Sequence, residues 1–254
     1  MAASPMEQFE IRPLIPLHLG GYDVSFTNQS LWMCIVVLAV SGFMIVATSR
    51  PRLVPGRMQS MAELSYEFVS GMINTTAGDE GLRFFPMIFT IFMFVATSNF
   101  FGLLPGSFTV TSQICVTLAL TMLVILTVIV TGFLRHGIGF LKLFVPKAPF
   151  LMLFILVPLE FISFCTRPMS LSVRLFANML AGHTMLKVMA GFVIALGATA
   201  ITSKAYLAPL SIAPMALIVA VTGLEILVAF LQAYVFAILA CIYIGEAIHL
   251  HDNH

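Results

Sequence analysis

Arg174 sits in the stretch Ser170-Leu-Ser-Val-Arg174-Leu-Phe-Ala-Asn178-Met-Leu-Ala-Gly-His183, whose other residues read largely as membrane. A guanidinium keeps its proton at any accessible pH. Holding it at mid-bilayer costs about 2.5–3.5 kcal/mol even on the most lenient scale, so it should face a partner or a water-filled cavity. The plainer reading is an arginine snorkelling from the end of a span, but the apolar run continues well past it. Four more ionisable groups fall within the same two long apolar regions: Glu160, His183, Lys187 and Glu225. Arg167 and Glu246 belong nearer to expected ends or bends. Asn178 follows Arg174 by four residues and shares its helix face. Gln232 lies two turns beyond Glu225 and shares that face. Ala177, Ala181 and Gly182 are small enough to let another helix approach closely. One such polar residue would suit a pair that merely holds helices together. Five concentrated in two neighbouring regions point to the handling of charge.

Residues of this kind need a scaffold that keeps them in lipid, and the composition supplies one. Of 254 residues, 60% are hydrophobic and only 9% charged. Soluble domains carry about 25% charged residues, so the class is an integral membrane protein with several helical spans. A net charge of +1 argues against nucleic acid or another polyanion as partner. Cys34, Cys115, Cys165 and Cys241 each stand alone in apolar surroundings and read as small buried residues, neither metal ligands nor disulfides. His249, His251 and His254 fall in a terminal segment expected to fray, so no metal is expected, and no cofactor. The first thirty residues lack a basic start followed by an apolar run, so the first span is expected to do the targeting.

The expected architecture is all-α, a single membrane domain of about five membrane helices plus an amphipathic surface helix. Residues 1–30 form an outer-side segment and 31–49 the first span, which Arg50-Pro51-Arg52 terminates. In 58–74, Met58, Met61, Leu64, Phe68 and Met72 recur at helical spacing while Glu63, Glu67 and Ser70 lie elsewhere on the wheel, the pattern of a helix lying along the membrane surface. A helical hairpin over 84–134 turns at Pro105-Gly106 and holds one amide, Asn99, in its first arm. Two long regions, roughly 150–197 and 207–248, complete the chain. Forty or so residues make about 60 Å of helix, twice the thickness of the hydrocarbon core. Each is therefore two short spans or one strongly tilted helix, and without a polar turn near either middle the tilted hairpin over 150–248 is the expectation. Pro158, Pro168, Pro209 and Pro214 are positions where these helices could kink.

Arg50, Arg52, Arg57, Arg83, Arg135, Lys142 and Lys147 fall in connections on one side, against Arg12 and Lys204 on the other. The richer side is inside, with the C-terminus, and the N-terminus is outside. Glu160 then lies nearer the inner surface, and Glu225, more than twenty residues from the inward end of its region, towards the outer one. A titratable group on either side of one fixed cation suits two proton half-paths separated by a barrier.

At these residues the chain resembles the subunit a family of F-type ATP synthases. The resemblance rests on the motif around Arg174, on Glu225-Ile-Leu-Val-Ala-Phe-Leu-Gln232-Ala-Tyr, on Met6-Glu-Gln-Phe9, on Pro105 with its neighbours, and on Leu250-His-Asp252-Asn. It spans nearly the whole chain. It implies that Arg174 faces a rotating ring of c subunits and meets each ring carboxylate in turn. It likewise implies that His183 and Glu225 belong to the outer half-channel and Glu160 to the inner one, and it favours tilted helices over a re-entrant pair. The order His183 then Glu225 is that of mitochondrial members and their alphaproteobacterial relatives; other bacterial members often carry a carboxylate first and a histidine second.

The expected function is a proton-translocating stator, with Arg174, His183, Glu225, Glu160, Asn178 and Gln232 as its translocation residues. Expected partners are the c-ring, peripheral-stalk (b-type) subunits and membrane lipid, in a bacterial plasma membrane or a mitochondrial inner membrane. The chain carries no Gly-x-x-x-x-Gly-Lys-Ser/Thr loop for phosphate chemistry. A self-contained secondary transporter would show repeated halves with broken helices at matching positions, and neither is visible. An intramembrane enzyme would need paired catalytic carboxylates or a metal-binding histidine pair.

Overall fold

A computed structural model describes residues 11–16, 18–19, 22–23, 25–104, 107–137, 139–140, 150–202 and 212–248. The motif at 6–9, the turn at 105–106, Lys142, Lys147, Lys204, Pro209 and the histidines of the last six residues lie outside them.

The described residues are all-α apart from two small strand pairs near the start of the chain. Strand β1 (Pro13–Ile15) pairs antiparallel with β4 (Phe26–Thr27), and β2 (His18–Leu19) with β3 (Tyr22–Asp23). No apolar alternation long enough to signal them exists in the sequence. They lead into α1 (Asn28–Thr48), followed by α2 (Arg57–Gly81), α3 (Phe85–Gly102), α4 (Ile114–His136), α5 (Phe150–Thr202) and α6 (Ile212–Ile248). The Thr27 hydroxyl accepts the backbone N–H of Ser30 at 3.3 Å, an N-cap for α1. Among the described residues, five helical segments are long and apolar enough to cross a membrane: Asn28–Thr48, Arg57–Gly102, Ile114–His136, Met152–Leu196 and Pro214–Ile248.

Helices α5 and α6 are each one continuous helix, 53 and 37 residues long. The re-entrant alternative is not adopted, and Pro158 and Pro168 both lie inside α5. Apolar flanking sequence without a polar turn gives the backbone nowhere to leave the helix at low cost, because lipid satisfies no free N–H or C=O.

The chain divides into two compact units, and α1, α3, α5 and α6 each contribute to both. One comprises Met1–Val36, Ala96–Gln113 and Leu175–Gln232; the other comprises Val37–Val95, Ile114–Arg174 and Ala233–His254. The second is built on the C-terminal half of α6, where Ala233, Phe236, Ala237, Ala240, Cys241 and Ile244 are all fully buried. Small residues there permit close packing: a Cβ on Gly245 would lie 3.2 Å from the Thr76 carbonyl of α2. Phe68 of α2 stacks obliquely on Phe92 and on Tyr234. The Thr127 hydroxyl of α4 reaches the Met87 sulfur of α3 at 3.4 Å. Polar ties close one end of this unit: Arg135 pairs with Glu80, and the His136 ring contacts the Ile248 carbonyl at 3.3 Å. Glu80 reaches its partner after Gly78, whose φ of 68° breaks α2 in a conformation that glycine adopts freely.

The structure adds which face of α2 the protein covers, and it revises the expectation of buried cysteines. The buried side of α2 is Ala62, Val69, Met72, Ile73 and Ala77, while Met58, Met61, Leu64 and Phe68 are at least 40% exposed. Small and β-branched residues let a neighbouring helix come close, and the large apolar ones are left for another apolar medium. Cys34 and Cys115 are also exposed, and only Cys241 is buried among the cysteines whose side chains are described. On a lipid-facing helix an apolar side chain need not be covered by protein.

Candidate functional site

The first unit gathers most of the polar residues singled out by sequence. On α6, Glu225, Ala229 and Gln232 fall at successive turns of one face. On α5, Asn178 and Gly182 do the same. The two helices run antiparallel here: Asn178 Nδ2 donates to Gln232 Oε1 at 3.3 Å, and the Glu225 carboxylate occupies the space that a side chain at Gly182 would fill. Gly182 therefore serves α6, and of the three small residues near Arg174 only Ala177 and Ala181 stay exposed.

Sequence reasoning missed what the α3–α4 connection contributes. Its short 3-10 turn, Val110–Ser112, is entirely buried. The Thr109 hydroxyl contacts His183 Nε2 at 3.2 Å, and the Ser112 hydroxyl donates to the Thr109 carbonyl at 2.6 Å. Asn99, fully buried, donates to the Ala229 carbonyl of α6 at 3.1 Å and accepts from the Thr111 hydroxyl at 2.7 Å. The only available signal was the polar run 107–113 between two apolar helices, which reads equally well as an exposed turn. Three buried polar atoms in this unit, Ser98 Oγ, Glu225 Oε2 and Gln232 Nε2, have no hydrogen-bond partner among the described residues. Burying such atoms is costly unless water or another chain supplies a partner. Glu225 thus reaches across the α5–α6 packing to Gly182, the residue before His183.

Arg174 is exposed and, among the described residues, forms no hydrogen bond or ion pair. Around it α5 is two-faced. Leu171, Leu175 and Met179, four residues apart, are almost fully buried, whereas Arg174, Ala177, Asn178 and Ala181 form an exposed strip. Nearby, in the second unit, the hydroxyls of Ser172 and Thr117 are 2.9 Å apart and both buried.

Glu160 is not isolated. Arg167, two turns further along α5, holds Nη2 3.8 Å from Glu160 Oε1 and donates through Nη1 to Glu246 Oε2 of α6 at 2.8 Å. Arg167 and Glu246, set aside in the sequence as lying near ends, are therefore partners of Glu160. No group of three or more potential metal-binding side chains occurs among the described residues.

Long apolar helices with ionisable groups set between them define a multi-pass helical membrane protein with a polar site inside its membrane part. The profile of the ATP synthase A chain family matches residues 30–245. The chain is 55% identical over 246 residues to ATP synthase subunit a of Mesorhizobium japonicum, covering 96% of each chain. It is 56% identical over 250 residues to that of Chelativorans sp., covering 98% of this chain and 99% of the relative. Against the protein of Allorhizobium ampelinum it is 54% identical over 250 residues, covering 98% of each. The chain belongs to the ATP synthase A chain family, and so to the membrane machinery of ATP synthesis and ion transport. These relatives are bacterial, which assigns it to the plasma membrane.

Proposed function

We propose that this chain is the non-catalytic proton-conducting stator of a rotary F-type ATP synthase, holding two offset half-channels against a ring of c subunits. The observation that carries the reading is Arg174: a permanent charge on an exposed strip of a membrane helix, with no hydrogen bond or ion pair to its own chain among the described residues. An exposed cation in lipid requires an anion from outside the chain, and a ring carboxylate fits. Ala177 and Ala181 on the same strip let a ring helix come close.

A proton entering from outside passes the polar cluster of His183 and Glu225, where the orphaned polar atoms and the buried hydroxyls of Thr109 and Thr111 favour water. It neutralises a ring carboxylate, which then moves into lipid at low cost. After nearly a full turn the carboxylate reaches the inner path at Glu160 and ionises. Arg174 stabilises the ionised form in low dielectric and repels protons that would pass straight between the paths. Asn178, one turn beyond Arg174 along α5 and bonded to Gln232 of α6, keeps that strip polar. Each charge crossing 100 mV supplies about 2.3 kcal/mol, so several must cross per ATP made.

At 53 and 37 residues, α5 and α6 are about 80 and 55 Å long. Both exceed a 30 Å hydrocarbon core, so they lie strongly tilted and follow the curved wall of the ring. The exposed apolar residues of α2 face lipid along the inner surface.

The deciding experiment is ATP-driven proton uptake by inverted vesicles carrying the complete complex with Arg174→Ala. Uptake should be lost while the complex stays assembled, and normal coupled uptake would sink the reading.

A further inference from the structure

The elbow that joins α1 to α2, residues 49–56, has no part in the function proposed above. Beside it a cleft of about 230 Å³ opens between the last turns of α1 and the first turns of α2, with Met44, Ala47, Pro51 and Ala62 as its apolar walls. Three arginines surround that cleft in sequence. Arg50 and Arg52 flank Pro51, and Arg57 opens α2 two residues before Gln59, which also lines the cleft. All three are exposed, and among the described residues none of their guanidinium groups forms an ion pair or hydrogen bond. The elbow itself is pinned. The Arg52 N–H donates to Gln59 Oε1 and Gln59 Nε2 donates to the Arg52 carbonyl, both at 3.1 Å, and the same amide nitrogen donates to Glu63 Oε1 at 2.7 Å. Between the arginines, Leu53 and Val54 are 105% and 84% exposed, an apolar tip left bare by the described chain. Tyr66, exposed at the cleft wall, is of a type enriched at the membrane–water boundary. Gly56, the N-cap of α2, supplies no side-chain bond, which leaves the first N–H groups of a 25-residue helix open to an anion.

We infer that this elbow is a binding site for an anionic phospholipid of the inner leaflet, its phosphate held by Arg50, Arg52 and Arg57 and its glycerol and upper acyl chain lodged in the cleft. Charge complementarity selects this occupant. Three permanent cations stand against one carboxylate at the cleft, Glu63, which is already bonded to Gln59, so the site keeps a net positive charge. A guanidinium fork matches two phosphate oxygens at once, and basic pockets between membrane helices on the inner side suit such headgroups. The apolar surface selects a lipid over a free phosphate, because a soluble anion would leave the cleft walls, Leu53 and Val54 facing water. The same arginines belong to the basic connections, which sets the leaflet as the inner one. Gln59 is the positioning residue: by holding the Arg52 backbone it fixes where two of the three guanidinium groups start.

The test uses the complete complex in vesicles holding equal mole fractions of phosphatidylglycerol and phosphatidylcholine, one of the two in each run carrying a photoreactive group on its acyl chain. After irradiation, mass spectrometry locates the lipid-modified peptides. Phosphatidylglycerol should label the segments 44–48 and 59–66 about fivefold more than phosphatidylcholine, the weight of roughly one arginine beside anionic lipid. The combined variant Arg50→Gln, Arg52→Gln, Arg57→Gln should bring the two lipids level. Arg83→Gln, which removes an exposed arginine outside the elbow, should leave the preference unchanged. Thr48→Phe, at an exposed residue of the cleft wall, should lower labelling by phosphatidylglycerol because the ring fills the cleft. Equal labelling by both lipids in the unsubstituted complex would overturn the inference, and that comparison depends on no variant folding. A preference that survives loss of all three arginines, or that Arg83→Gln also abolishes, would overturn it as well, as would labelling indifferent to Thr48→Phe. Labelling of neither segment would mean that another subunit covers the elbow, and complete displacement of the lipid by inorganic phosphate would mean a site for a soluble anion. Either result ends the lipid reading.

Discussion

At the scale of single residues, chemistry and environment have to be argued together. Arg174 combines a charge that cannot be shed with a position where, among the described residues, no anion of its own chain pairs with it. Arg174→Lys should therefore fail almost as completely as Arg174→Ala, since a lysine can lose its proton in a dry site and lacks the planar fork; near-normal ATP-driven pumping by Arg174→Lys would contradict this. Gly182 gives a second prediction of the opposite kind. A methyl group there meets the Glu225 carboxyl, the far end of a flexible side chain, which can swing away. Gly182→Ala should thus cost under about 1 kcal/mol of stability, read as the melting temperature of the purified complex, while proton flux falls because the carboxylate is displaced. A large loss of stability with unchanged flux per complex would show that the seat is structural. Glu225→Gln and His183→Ala act on one proposed outer path, so their double mutant should be less than additively impaired. Independent multiplicative losses in flux would separate the two residues.

At the scale of elements, the α3–α4 connection is held to α6 by Asn99. Its amide satisfies the Ala229 carbonyl and the Thr111 hydroxyl, both in a buried setting. Asn99→Ala removes both bonds and takes from the buried Thr111 hydroxyl its acceptor, at about 1–3 kcal/mol for a buried group, while the Ala229 carbonyl keeps its bond within α6. The expected outcome is a lower melting temperature, together with reduced flux, because the buried turn that presents Thr109 to His183 loses its anchor. An unchanged melting temperature would mean that water replaces the amide fully. The two-faced character of α5 makes its own prediction: cysteines at 174, 178 or 181 should crosslink to the rotor, whereas cysteines at 176 or 179, half-buried and buried in the chain, should not.

At the scale of the whole molecule the question is which aqueous phase each polar group meets. Two half-paths separated by Arg174 require that a membrane-impermeant thiol reagent reach a cysteine at 225 only from outside and one at 160 only from inside. Equal labelling of both from one side would mean a continuous pore. Such a pore would dissipate the potential without turning a ring, so this experiment tests the coupling principle itself.

The sequence by itself determined what belongs in lipid and what does not. Hydropathy and span length gave the helical class and the five crossings, and helical spacing put Arg174 with Asn178 and Glu225 with Gln232, because these properties depend on composition and on a period of 3.6 residues. It also marked Arg174, whose cost in lipid is independent of its neighbours. Only the tertiary structure decided who touches whom. Arg167 and Glu246 looked peripheral because their partnership spans 79 residues of chain, and no local pattern encodes a contact between two separate helices. Thr109 and Thr111, and the partners of Asn99, escaped notice for a related reason: a polar run between apolar helices looks the same whether it turns into water or folds inward. The exposed methionines of α2 carry the same lesson in reverse. Periodicity says that a helix has two faces, and only packing says which of them the rest of the chain covers.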